Sequence, residues 1–329
     1  MCGDTRRAGA VLEEPTNETM MGTVTHLPPA AHGRPALDHD ALAAALLRPG
    51  GPLRHLEVRP TDPSTNTSLA AASTSDPGTW RAPAALLADH QVAGRGRLGR
   101  VWQTPARTAL TMSVLLAPRA RPLTWVPLLT GLAVCAAVHE ATGLDVGLKW
   151  PNDVLVAVPG ADELPVVGRR RKVAGILAEV TPAGQVVVGV GLNVLQSADE
   201  LPVAAATSLA AALLGADGPS HVAPSRDDLA VAVLTRLLAT IDRWDAAAGR
   251  SRDSDAIVTS GLLADVEQRL VTLGSLVRAE LTDGREVTGE AVGLAPDGAL
   301  VIASDDGRRT EVRSGDVHHL RAPLRPTSG

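Results

Sequence analysis

The sequence predicts a mixed α/β body of the α+β kind, followed by a small all-β barrel. Strand-like and helix-like apolar periodicities alternate from Leu53 onward. Residues 173–180 and 185–190 are apolar runs joined by Thr-Pro-Ala-Gly, which reads as an antiparallel hairpin. From Leu273 the pairs Asp283-Gly284, Asp297-Gly298 and Asp306-Gly307 punctuate short Val-, Leu- and Ile-bearing runs. Asp-Gly is a hairpin signal because both central positions of a two-residue turn need positive φ.

Residues 1–36 mix charge, Thr, Pro and Gly without period and read as a disordered extension, in which Met20 and Met21 offer alternative starts. Residues 38–47 form a short helix stopped by Pro49-Gly50-Gly51-Pro52. Residues 86–88 and 110–116 are apolar strands, the second ending near Pro118. Residues 123–142 form a helix capped by Gly143. It is the most apolar long stretch, but Pro127, His139 and Glu140 favour a buried helix over a membrane span. Residues 146–150 and 154–158 are strands on either side of a Pro-Asn-Asp turn. Ser225 opens the clearest helix, with Asp227 and Asp228 complementing its dipole. Leu229, Val233, Leu237, Ile241 and Trp244 give it one buried stripe. Residues 251–268 read as one further helix. The expected division is an extension (1–36), a main body (37–269), a β domain (270–322) and a tail (323–329).

A length of 329 residues suits two domains, and 45% hydrophobic residues suffice for their cores. The net charge of −5 provides no basic field to attract nucleic acid or a membrane surface. Cys2 and Cys135 are too far apart in sequence for a disulfide framework, and no apolar leader precedes the body, so a cytoplasmic protein is expected. The nine histidines show no metal spacing, so no protein-borne metal site is assigned. His318 and His319 are assigned to the structure of the last strand. His90 is worth watching because it adjoins a glycine loop.

Only two lysines occur among 31 basic residues, Lys149 and Lys172, and each sits in a dense motif. Asn66, Asn152 and Asn193 also fall in such motifs, while Phe and Tyr are absent. A compositional bias that strips these residue types leaves them where a substitute fails. An ammonium is a compact point charge that a guanidinium fork does not replace. The chemistry is therefore placed on Lys149 and Asn152. In Lys149-Trp150-Pro151-Asn152-Asp153, Pro151 holds Trp150 extended, so the lysine and asparagine project from a fixed scaffold.

The stretch from Gly94 to Arg100, Gly-Arg-Gly-Arg-Leu-Gly-Arg, formally contains Gly-x-Gly-x-x-Gly. A dinucleotide fold would need a helix next and an acidic residue about 20 positions on. Val-Trp-Gln-Thr-Pro follows instead, so that reading fails. What remains is a flexible loop carrying Arg95, Arg97 and Arg100 toward anionic oxygens. Ordering it without an anion would force like charges together, so a flap that closes on a ligand is expected. Ser64-Thr65-Asn66 supplies short polar groups for a neutral ligand, although such triplets are also ordinary turn or helix-cap sequence.

In order, Ser64-Thr65-Asn66, the Gln91–Trp102 glycine–arginine segment, Lys149-Trp150-Pro151-Asn152-Asp153, Lys172-x-Ala174-Gly175-Ile176-Leu177 and Gly189-Val-Gly-Leu-Asn193 resemble the biotin protein ligases, also called biotin–acetyl-CoA-carboxylase ligases. The resemblance spans residues 37–322. It implies a largely antiparallel mixed sheet with flanking helices, related to class II aminoacyl-tRNA synthetases, and a C-terminal SH3-like β-barrel. It also implies a two-step reaction. Biotin and ATP with Mg²⁺ give biotinyl-5′-adenylate and pyrophosphate. A lysine of the biotin carboxyl carrier protein then displaces AMP.

By that resemblance Ser64, Thr65 and Gln91 hold the ureido end of biotin and its surroundings, and Asn66 is among the biotin-binding residues. Arg95, Gly96 and Arg97 cover its carboxylate side, and Lys149 lies between carboxylate and α-phosphate. Gly94, Arg95, Arg97, Arg100, Lys149, Asn152 and Asn193 form the nucleotide side, with Lys149 and Arg97 as the catalytic pair. Leu98 departs from the family pattern, where a basic residue is common. The connection from 159 to 171 is long and reads as a solvated loop. A lipoate or octanoate ligase or transferase is the rival enzyme. A biotin-sensing DNA-binding repressor would need a helix-turn-helix that the residues before the body do not supply. A monomer or homodimer fits.

Overall fold

A computed structural model describes residues 33–158, 160–164, 167–214, 222–250, 255–281 and 283–320. The expectations for residues 1–32 and for the tail lie outside the described residues.

The strands β1 (His55–Arg59), β2 (Ala84–Ala88), β3 (Ala109–Leu116), β4 (Val146–Lys149), β5 (Asp153–Ala157), β6 (Arg170–Val180) and β7 (Val186–Asn193) form one seven-stranded sheet. Its order is β1-β2-β3-β7-β6-β5-β4, parallel only between β1 and β2. β3 is buried at every position, as a strand covered on both faces must be. One face carries α3 (Val126–Thr142) and α5 (Arg226–Ala248), which pack on each other over the large core. The other carries α2 (Thr65–Ser75) over a small core of Leu69, Trp80, Leu86 and Leu115.

Beyond α2 no helix among the described residues covers this second face, and the strands there lack side chains of their own at key positions. Gly175 of β6 pairs directly with Gly191 of β7, and Gly189 pairs with Ser113 of β3. Glycines in strand interiors leave room for another group to approach the backbone. The sheet therefore has a side-chain-free patch on the face that carries the N-terminus of α2.

The helix caps follow local chemistry. Asp38 accepts hydrogen bonds from the Asp40 and Ala41 N–H groups and starts α1 (His39–Leu46). Ser225 accepts from Asp228 N–H and starts α5, whose predicted stripe from Leu229 to Trp244 is buried. Gly143, at φ 71°, ends α3, a mostly buried core helix despite being long and apolar enough to cross a membrane. The single helix expected over 251–268 is instead α6 (Ala256–Thr259) and α7 (Leu262–Arg269), with residues 251–254 outside the description. Gly261, at φ 76°, breaks the helical run between them. A short α4 (Leu209–Leu214) and β1 carried no clear sequence signal.

Residues 33–36 are tied down, contrary to the expected disorder. The Arg34 guanidinium donates to both Glu200 carboxylate oxygens at 3.0 and 2.7 Å, and Pro35 O accepts from the buried Arg226. The Arg34 hydrogen bond holds the Glu200 carboxyl down at about 2. The described residues of the 159–171 connection are likewise held by hydrogen bonds. Arg171 is buried and donates to the carbonyls of Asp162 and Gly168, and Arg170 pairs with Asp145.

The C-terminal strands β8 (Leu276–Leu281), β9 (Glu286–Leu294), β10 (Leu300–Ala303), β11 (Arg309–Val312) and β12 (Gly315–His319) form an antiparallel sheet ordered β11-β10-β9-β8-β12, in keeping with an SH3-like domain. The Asp-Gly turns are one residue longer than the two-residue type expected. Only the glycine is left-handed, at φ 80° in Gly284, Gly298 and Gly307, and each aspartate accepts from the N–H two residues on. That is the geometry of a type I turn followed by a glycine bulge.

This sheet is clasped to the body at the 295–299 turn. Trp125 Nε1 donates to Pro296 O at 2.9 Å, Trp150 Nε1 to Gly298 O at 3.0 Å, and Thr124 Oγ1 to Asp297 O at 2.6 Å. Both indoles are buried. Trp150→Phe removes one donor and leaves a buried carbonyl unpaired, an expected loss of about 1–3 kcal/mol. Urea unfolding measures it, and an unchanged midpoint would show that the clasp carries no stability.

Candidate active site

The bare patch is the floor of a cavity of about 370 Å³. The N-terminus of α2 and Gln91 form one end, and the 94–102 loop covers it. Lys149, Asn152, Asp153 and Lys172 form the other end, and Asp316 and His318 of β12 close the rim.

The α2 end is neutral and polar. Thr65 N–H donates to Gln91 Oε1 at 2.7 Å, and Thr65 Oγ1 lies 3.0 Å from the same oxygen. Asn66 Nδ2 donates to Leu177 O at 3.0 Å and to Glu179 at 2.9 Å. Ser113 Oγ lies 2.6 Å from Asn66 Oδ1 and 2.7 Å from Thr65 Oγ1. Ser64 caps α2 by position without a side-chain cap bond. The side chains of this triplet thus line the cavity, and that of Ser64 is not spent on the helix end.

The cover is a narrow hairpin rather than a helix entrance. Trp102 N–H donates to Gly94 O at 2.9 Å, and Gly96 N–H to Arg100 O at 2.7 Å. A Cβ on Gly94 would lie 2.3 Å from Trp102 O, so only glycine permits this closure. The tip turns through Leu98 at φ 55° and Gly99 at φ 74°, with Leu98 exposed. The three guanidiniums, expected to crowd together, are splayed to three acceptors. Arg95 pairs with Glu179 at 3.0 Å, Arg97 donates to Asn152 Oδ1 at 3.1 Å, and Arg100 pairs with Asp316. The protein matches two of these charges with its own carboxylates, which the sequence did not reveal. Trp102, at the end of the hairpin, lies on the glycine floor, where a Cβ on Gly191 would come within 2.5 Å of its ring.

The far end is cationic. Lys149 closes β4, and Asp153, its cross-strand partner, opens β5. Lys172 enters from β6, with Nζ 2.6 Å from Asp153 Oδ1 and 5.8 Å from the Trp102 ring centre. Burial pushes the Lys149 ammonium below the usual lysine range; Asp153 opposes this, while Lys172 and Arg100 add to it. Burial also lowers Arg97, with Asp153 opposing and Arg100 adding. Behind them, burial and then Lys149 hold the His319 imidazole down at about 4. One carboxylate, Asp153, therefore sits among Lys149, Lys172 and Arg97. The remaining positive charge suits anions held in low dielectric. Among the described residues no group of three His, Cys, Asp or Glu could hold a metal ion.

The cavity thus brings together Ser64, Thr65, Asn66, Gln91, Arg95, Gly96, Arg97, Arg100, Lys149 and Asn152. Gly94 lies at the base of the cover, against Trp102. Asn193 does not line the cavity. Its amide is buried, donating to Thr207 O at 3.0 Å and accepting from Gln196 at 2.8 Å, so its groups are spent on the protein. His90 is also outside the lining, whereas His318 is part of it. Lys172, Asp153, Trp102 and Asp316 were not singled out as site residues. For Lys172 the signal existed, since it is one of two lysines. For Asp316 none did, because its role depends on where the C-terminal sheet docks.

Comparison with known proteins sets the class. Residues 58–193 match the Biotin/lipoate A/B protein ligase family, and residues 272–320 match the Biotin protein ligase C terminal domain. The chain is 37% identical over 294 residues to a biotin–acetyl-CoA-carboxylase ligase of Mycobacterium tuberculosis, covering 88% of this chain and 97% of that one. It is 29% identical over 259 residues to the ligase of the same name from Paracoccus denitrificans, covering 76% and 94%. The structure of a biotin protein ligase from Aquifex aeolicus in complex with biotin and ATP superposes with a TM-score of 0.62 at 28% identity, over 82% of this chain and all of that one. The chain belongs to the biotin protein ligase family.

Proposed function

We propose that the chain joins biotin to a lysine of a biotin carboxyl carrier protein through biotinyl-5′-adenylate. The observation that carries the reading is the polarity of the cavity, neutral hydrogen-bonding groups at the α2 end and an excess of cations at the other. Biotin has the same polarity, a cyclic urea at one end and a carboxylate at the other.

In the first step a biotin carboxylate oxygen attacks the α-phosphorus of ATP, forming the mixed anhydride as the bond to pyrophosphate breaks. Two anions must approach, and negative charge grows on the phosphate oxygens. Lys149, Lys172 and Arg97 are cations fixed before the reaction. Fixed charges aimed at developing charge stabilise the transition state more than the ground state. Arg95 and Arg100 would meet the phosphates by exchanging Glu179 and Asp316 for the ligand. Mg²⁺ arrives with the nucleotide, since such ions are held mainly by phosphates, with one or two carboxylates; Asp153 is a carboxylate within the cavity. In the second step the carrier lysine amine attacks the acyl carbon, the amide forms and AMP leaves.

The lipoate reading is weaker. A dithiolane offers no hydrogen-bonding group to the polar end formed by Thr65, Asn66 and Gln91, and sites built for hydrogen bonding reject ligands that lack the partner groups. The purified chain with biotin, ATP, Mg²⁺ and an apo carrier domain is expected to raise the carrier mass by one biotinyl group. Modification with lipoate in place of biotin would overturn the reading.

A further inference from the structure

We infer that Ser113, behind the cavity wall, fixes the Thr65 hydroxyl as a hydrogen-bond acceptor and so makes this site select a ligand that presents an N–H donor. The inference rests on the biotin reading above and adds a residue that governs its selectivity. Ser113 sits on β3, is fully buried and does not line the cavity, whereas Thr65, Asn66 and Gln91 do.

Counting protons gives the argument. Asn66 Oδ1, Ser113 Oγ, Thr65 Oγ1 and Gln91 Oε1 form a chain of oxygens separated by 2.6, 2.7 and 3.0 Å. The two ends accept only. Asn66 Nδ2 is committed to Leu177 O and Glu179, which fixes its amide orientation. Gln91 Oε1 takes the Thr65 N–H, which fixes that of Gln91. Each hydroxyl brings one proton. Two protons therefore serve three contacts, and one contact must set lone pairs against each other.

That repulsion is smallest at the longest separation, between Thr65 Oγ1 and Gln91 Oε1. Gln91 Oε1 also already has a donor at 2.7 Å. Ser113 then donates to Asn66, and Thr65 donates to Ser113. The Thr65 proton points into the protein, and only lone pairs face the ligand. A ligand N–H supplies the third proton. A ligand oxygen of the same size meets lone pairs and finds no donor. Without Ser113 the Thr65 hydroxyl turns freely, donating to Gln91 or to the ligand, and the selection fades. Ser113 is thus a positioning residue that acts through Thr65.

The test is calorimetric binding, without ATP, of biotin and of its two cyclic-carbamate analogues, in each of which one ureido N–H is replaced by oxygen. The wild type is expected to prefer biotin over one carbamate by roughly 100-fold, the scale of one buried unpaired polar contact. Ser113→Ala should cut that preference to below about 10-fold while biotin itself weakens about tenfold. Ser113→Cys keeps the side-chain shape, slightly enlarged, with a weak hydrogen-bonding thiol and should shift the preference the same way, which serves if the alanine variant does not fold. A preference unchanged in either variant while both ligands weaken equally would mean a purely structural serine and overturn the inference. So would equal binding of biotin and both carbamates by the wild type. A wild type that binds no biotin would instead remove the biotin reading, and the inference with it.

Discussion

Lys149→Ala is expected to slow adenylate formation roughly 10²–10³-fold, the usual effect of losing one preorganised electrostatic group. The measurement is pyrophosphate release with saturating biotin and ATP. Lys149 ends the edge strand β4, paired across to Asp153, and lines the cavity whose rim Asp316 and His318 of the C-terminal β domain close. Lys172→Ala should fall in the same range, because its ammonium enters the same cavity from β6. The pH profile provides a second readout. Burial lowers the Lys149 pKa from its ordinary 10.5, so its charge is present at low pH and is lost as pH rises through the lowered value. The alkaline loss of activity should therefore begin below the ordinary lysine range, and Lys149→Arg should shift it upward. Wild-type rates in Lys149→Ala would remove this lysine from the chemistry.

Arg97→Gly is expected to release the adenylate before the carrier arrives. Arg97 holds the cover to the Pro151-Asn152 turn through its hydrogen bond to Asn152 Oδ1, and it is largely shielded from solvent there. A hydrogen bond to a charged group contributes about 1.5–3 kcal/mol, so cover opening should increase roughly 10–100-fold. Mass spectrometry of a bystander protein present during turnover should then find biotin on exposed lysines. A variant that modifies the carrier alone would show that the 94–102 hairpin does not retain the intermediate.

The two lysine motifs show how far rarity can carry a reading. Scarcity pointed to Lys149 and Asn152, and both line the cavity. The same reasoning passed over Lys172, which is equally rare and sits at the same end. Trp150 lies between those residues in the motif yet faces the other way, donating to Gly298 and fastening the C-terminal sheet. A contiguous motif thus mixes site residues with a domain clasp, because β4 ends at Lys149 and the turn through residues 150–152 sends neighbouring side chains to different surroundings. Asn193 met the same rarity test, but its amide is taken by Thr207 and Gln196. His318 was assigned to the last strand and nevertheless reaches the cavity rim.

What the chain determined by itself is local. Periodicity marked α3, α5 and the β6–β7 hairpin, caps such as Asp38, Ser225 and Gly143 marked helix ends, and Asp-Gly marked the C-terminal turns. These depend on backbone preferences and near neighbours, so a single sequence displays them. Tertiary structure alone decided that Gly175 and Gly191 meet to bare the sheet, that Glu179 and Asp316 receive the arginines of the cover, and that Ser113 stands behind Thr65. Those pairings join residues far apart in the chain, and their physics lies in register and docking, which no local pattern encodes.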